Sequence, residues 1–110
     1  MGIDFQPVKP SKDAPLRADG KVKWGRYSLS GWSKLWCLLI DHGVDTSEFS
    51  VSNNGHRVKA STCKKVADVI EANFDKYVAT QGGSPTNADD IEVCKLDILL
   101  WRTCGGYRQY

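Results

Sequence analysis

The chain has 110 residues, 41% of them hydrophobic and 25% charged, with a formal net charge of +2. That make-up belongs to one globular domain and excludes wholesale disorder. The longest clear apolar run, LWCLLI, is far short of the roughly 18 residues of a membrane helix.

The N-terminal stretch MGIDFQPVKPSK lacks the apolar run of a signal peptide, so a cytoplasmic protein without membrane association is expected. Residues 1–23 contain Pro7, Pro10, Pro15 and the turn-like Asp19-Gly20 and show no clear periodicity. Each proline removes a backbone donor and biases its predecessor toward extended geometry. This segment reads as an extended arm, with Ile3, Phe5, Val8 and Leu16 available to anchor it, ahead of a single compact domain over 24–110. A short strand near 21–24 is also expected.

A first helix is predicted over about 30–42. Ser30 offers a capping hydroxyl, and Trp32, Leu35, Trp36, Leu39 and Ile40 recur at helical spacing as one apolar stripe. His42, Gly43 and Val44 carry the signature of a Schellman stop. Asn54-Gly55 then favours a two-residue turn, predicting a β-hairpin over about 48–60 that pairs Phe49 with Ala60, Val51 with Val58 and Asn53 with His56. In that register Arg57 and Lys59 fall on the face opposite the apolar residues. A second helix is expected over about 61–80, capped by Ser61 or Thr62, with the stripe Cys63, Val66, Ala67, Ile70, Phe74, Tyr77 and Val78. A third is expected over about 88–104, opened by TNADD and stopped by Gly105-Gly106, leaving YRQY as a tail. Its line Ile91, Cys94, Ile98 and Trp101, widened by Leu96, Leu99 and Leu100, suits a central helix. The fold class is α+β, mainly helical.

The segments SGWSKLWCLLIDHGVDTSEF, TCKKVADVIEAN and LWRTCGGYRQY resemble a family of small bacterial or phage proteins of unassigned function. The resemblance covers about 24–110 and implies a compact stand-alone domain. It assigns no functional residues.

Cys37, Cys63, Cys94 and Cys104 lack the close pairing of zinc ligands and the CxxC unit of redox sites. They read as reduced thiols, most of them buried, with no metal or cofactor implied. His42 and His56 lie in no recognised catalytic motif, and nucleotide-binding glycine patterns are absent from the sequence. A non-catalytic domain is therefore expected, with a small enzyme using an unfamiliar site as the least favoured alternative.

Charge is uneven along the chain. Residues 1–65 carry eleven Lys/Arg against six Asp/Glu, and residues 66–110 carry four against seven. Such a distribution permits a basic face, and equally an attraction between the two halves. Trp24, Arg26 and Tyr27, with Tyr107, Arg108 and Tyr110 near the C-terminus, are the residue types that dominate protein interfaces. A protein-binding regulator or inhibitor is the first expectation, the two aromatic clusters its contact residues. A nucleic-acid-binding accessory protein is the alternative, its phosphate contacts drawn from Lys9, Lys12, Lys21, Lys23 and Arg26. For Trp24 and Tyr27, structural anchoring competes evenly with either role.

Overall fold

The structure is a computed structural model that describes residues 2–49 and 56–110. Among the described residues, four strands form one antiparallel sheet: β1 (Gly2–Pro7), β2 (Gly25–Ser28), β3 (His56–Val58) and β4 (Tyr107–Gln109), in the order β2-β1-β4-β3. Among the same residues, four helices accompany it: α1 (Leu29–Asp41), α2 (Ala60–Ala72), α3 (Phe74–Thr80) and α4 (Ala88–Thr103). The α+β class stands, with a fuller sheet and one more helix than expected.

The segment read as an arm supplies β1. Ile3 and Phe5 alternate with Asp4 and Gln6, and both apolar side chains are fully buried. The prolines that mask this alternation begin only at its last residue, Pro7. Beyond it, the backbone amides of Val8, Lys9 and Ser11 donate to the carbonyls of Gly106, Cys104 and Thr103. The segment thus satisfies acceptors that the end of α4 leaves free. The strand expected near 21–24 lies slightly later, at 25–28.

Helix α1 begins one residue before the predicted start because Ser28, not Ser30, caps it: its hydroxyl accepts from the Gly31 amide at 3.0 Å. Its end follows the expected Schellman geometry. Gly43 has φ +75°, its amide donates to Ile40 and that of Val44 donates to Leu39, both at 3.0 Å. The buried stripe is rotated from the predicted one. Leu38 joins Trp32, Leu35 and Leu39 inside, while Ile40 is 54% exposed.

The predicted hairpin falls partly on residues 50–55, which lie outside the described residues. Of its described part, Ala60 opens α2 rather than pairing with Phe49, and Val58 pairs with Tyr107 of β4. Phe49 instead packs its ring edge-on against Trp32, Trp36 and Trp101. Helix α2 carries no cap from its own Ser61 or Thr62 onto its first turn. Glu48 acts from outside, accepting from the Lys59 amide and the Thr62 hydroxyl, each at 2.7 Å. The single helix expected over 61–80 is broken at Asn73 (φ −125°, ψ 40°), whose side-chain amide and backbone N–H both donate to the Val69 carbonyl. Such local bonding by Asn competes with helical continuation.

Helix α4 is capped as expected, with Asn87 accepting from the Asp89 and Asp90 amides. Cys94, Leu100 and Trp101 face inward, while Val93 and Leu99 are exposed. The core is an aromatic cluster in which Trp32 and Trp101 stack at 13°, flanked by Phe5, Tyr27 and Tyr107. Helices and aromatic core cover one side of the sheet; β2 and β4 alternate buried with exposed residues and β1 buried with part-buried ones, so the other side is the open one among the described residues. Among the described residues, no helix is long and apolar enough to cross a membrane.

Candidate functional site

The open side of the sheet gathers residues that the sequence keeps far apart. In the pairing of β1 with β2, Asp4 stands opposite Arg26, whose guanidinium donates to the Asp4 carboxylate at 2.8 Å. On its other side Asp4 exchanges both backbone hydrogen bonds with Tyr110. One row along, Gln6 stands opposite Arg108, which in turn stands opposite Arg57 of β3. Trp24, just before β2, and Tyr110, just after β4, stack across β1 with ring centroids 6.2 Å apart and planes 25° apart. Both rings remain accessible, at 42% and 40% exposure.

Strand alternation decides which candidates reach this face. Side chains of a strand point to opposite sides in turn, so Arg26 and Arg108 face out while Tyr27 and Tyr107 face in. The expectation that Tyr27 and Tyr107 contact a partner is corrected here, since both are core residues at 5% and 1% exposure. The sheet brings Trp24, Arg26, Arg108 and Tyr110 onto one face, and Arg57 joins them. Of the lysines considered for phosphate contact, Lys9 and Lys12 lie beyond the Pro7 end of β1, alongside the end of α4. Lys21 sits in the turn closed by Asp19, and Lys23 lies near enough to Asp97 to favour its ionised form. All four are exposed.

The electrostatics of the face are lopsided. Arg26 is neutralised by Asp4, but Arg57 and Arg108 are directly opposed like charges with no ion pair among the described residues. Such cross-strand juxtaposition is destabilising in isolation and is relieved by an anion placed over both groups.

Beside Arg26 a second feature begins, a cleft of about 330 Å³ between the end of β2, the loop after α3, and α4. Its polar wall includes Arg26, Ser28, Gln81, Asp90 and Asp97. Asp97 ends a directed chain of hydrogen bonds that starts in the core. Trp101 Nε1–H donates to the Tyr27 hydroxyl at 2.9 Å, Tyr27 and Tyr77 share a 2.7 Å bond, and Tyr77 donates to Asp97 Oδ2 at 2.7 Å. Because the Tyr77 proton is committed to Asp97, Tyr27 must be the donor to Tyr77. Burial raises the Asp97 pKa to about 6, opposed by the Tyr77 hydrogen bond and by Lys23. Burial, and secondarily the Asp97 charge, pushes the Tyr27 pKa well above its ordinary value. Cys94, on the same cleft, is pushed up to about 11 by burial and then by Asp97 and Asp90.

Sequence reasoning missed Asp97. Its signal is a lone carboxylate inside the otherwise apolar stretch LDILLW. Cys63, Cys94 and Cys104 are buried thiols and Cys37 is exposed, all four free. Among the described residues, no three His, Cys, Asp or Glu side chains cluster as a metal site would require. The chain matches no protein-family model, no curated protein and no solved structure.

Proposed function

We propose that this chain is a non-catalytic binding domain that docks an anionic macromolecule on the open face of its sheet. One observation carries the reading: the open face presents two accessible stacked rings with three arginines against a single carboxylate side chain. Aromatic and Arg side chains together are the usual energetic centre of recognition surfaces, and paired guanidinium groups suit carboxylate or phosphate oxygens. The helices behind the sheet supply rigidity through the aromatic core, to which α1 gives Trp32, α3 gives Tyr77 and α4 gives Trp101.

The experiment is retention on immobilised heparin at pH 7, comparing two variants of equal charge change. Arg57→Glu with Arg108→Glu alters the face, whereas Lys64→Glu with Lys65→Glu alters exposed positions of α2. The reading requires the first variant to elute at clearly lower salt than the second. Coincident elution would reject it, because net charge alone would then govern retention.

An enzymatic reading has one observation in its favour, the cleft where Asp97 titrates near 6. The thiol beside it, Cys94, argues against nucleophilic chemistry: at about 11 it is protonated at neutral pH and unreactive. The cleft reads as the mouth of a structural hydrogen-bond chain.

A further inference from the structure

We infer that the occupant of the open face is a single-stranded nucleic acid, with unpaired bases on the Trp24 and Tyr110 rings and phosphates at Arg57 and Arg108. This rests on the binding reading above and adds the identity of the partner. Three features separate a nucleic acid from an acidic protein.

The first is what the face lacks. Outward positions within the strands are Gly2, Asp4, Gln6, Arg26, Ser28, Arg57 and Arg108, none of them aliphatic. The buried centre of a protein interface is apolar and depleted in charge, a description these positions do not meet. Bases need no such centre, because every base presents a π-face to an aromatic ring.

The second is the arrangement of the rings. Trp24 and Tyr110 stack with planes 25° apart and centroids 6.2 Å apart, held at the ends of separate strands on either side of β1. Open sheets carrying accessible aromatics are a recurrent platform for unpaired bases. A duplex, whose bases are already stacked and paired, offers these rings nothing equivalent.

The third is charge complementarity. Arg57 and Arg108 oppose one another directly; Arg108 lies two residues from Tyr110 along β4, about 7 Å, and Arg57 lies on the neighbouring strand, one spacing of about 5 Å further out. Successive phosphates seated on the two guanidinium groups would offset their repulsion while the adjoining base reaches the rings. Gln6 lies between β2 and Arg108 in the same row, offering amide donors and an acceptor to a base edge. Asp4 does not repel the strand, since Arg26 holds it as an ion pair at 2.8 Å.

The test is fluorescence anisotropy of labelled oligouridylate and oligothymidylate 12-mers at low salt, with a 12-base-pair duplex and poly-L-glutamate as competitors. Saturable binding of a single strand, displaced weakly by the duplex and by polyglutamate, is expected. Trp24→Ala with Tyr110→Ala should weaken binding on the order of 10- to 100-fold, with near-ultraviolet circular dichroism unchanged. Arg57→Ala with Arg108→Ala should reduce the slope of log affinity against log salt by about 1.4, the value for two single-strand phosphates. Polyglutamate bound through the arginine pair, with no single-strand binding, would overturn the nucleic-acid assignment while keeping the face as a binding site. Single-strand binding unaffected by the folded aromatic variant would also overturn it. If neither polyanion binds, both the assignment and the reading beneath it fail.

Discussion

Replacing Asp97 by Asn tests whether the hydrogen-bond chain ends in a carboxylate that burial disfavours. The substitution keeps shape and leaves an oxygen to accept from Tyr77, but removes the ionisation. In the native protein Asp97 titrates at about 6 against an ordinary 3.8. A difference of about two units corresponds to about 2–3 kcal/mol between the charged and neutral forms. The native pKa is the higher one, so the native state holds a proton that the unfolded chain has already lost. Stability from this group is therefore complete below about pH 4, falls as pH rises toward about 6, and is level above that. Burial sets the value first, and the Tyr77 hydroxyl and Lys23 oppose it; the Asp97 charge in turn raises Tyr27 and Cys94. Urea unfolding of both proteins at pH 3.5, 5, 6 and 7.5 isolates the Asp97 contribution, because all other groups cancel in the difference. The variant should equal the parent at pH 3.5 and exceed it by about 2–3 kcal/mol at pH 7.5. A difference that does not change with pH would refute the placement of Asp97 in a desolvating wall.

Tyr27 and Tyr107 make a contrasting pair under the same unfolding assay. Tyr27→Phe leaves the buried Trp101 N–H without its acceptor and should cost about 1–3 kcal/mol. The Tyr107 hydroxyl is buried without a partner among the described residues, close against Gly25, so Tyr107→Phe should be neutral or stabilise by about 1 kcal/mol; a loss like that of Tyr27→Phe would contradict the packing. Gly105 has φ +66°, and a Cβ there would land on the Lys9 carbonyl. Gly105→Ala should lower stability by about 2 kcal/mol or more, seen as a reduced urea midpoint; an unchanged midpoint would contradict the contact between the 8–12 segment and the end of α4. Cys37 lies in a shallow apolar depression between α1 and α3 and is exposed. One thiol in four should react rapidly with a chromogenic disulfide in the native protein, and the rest only on unfolding; rapid reaction of a second would place a buried cysteine at the surface.

What was legible in the sequence followed the range of the interactions involved. Helix α1 is written locally, in a capping serine, an apolar stripe and the Gly43 stop. Its cap differs by two residues because two serines flank the start. Strand β4 is only three residues long and exists because β1 and β3 pair with it, information carried by segments about 50 and 100 positions away. Strand β1 carries a plain alternation in GIDFQP, but the prolines from Pro7 onward dominate its neighbourhood. The break at Asn73 is invisible to periodicity because apolar residues continue through it at helical spacing. For the candidate site, residue type drew attention to Trp24, Arg26, Arg108 and Tyr110, yet could not say which way each faced. Only the register separates them from Tyr27 and Tyr107, one position away on the same strands.

The central claim is that the open face of the sheet is where this chain meets its partner. Two-dimensional ¹H–¹⁵N spectra recorded while a short oligouridylate is added read that directly, since each indole N–H reports separately. The account predicts that the Trp24 indole and the amides of Asp4, Gln6, Arg26, Arg57, Arg108 and Tyr110 move together, while the indoles of Trp32 and Trp101 stay still. Shifts gathered on α2, or around the cleft at Asp90 and Asp97 with the Trp24 indole unmoved, would contradict it.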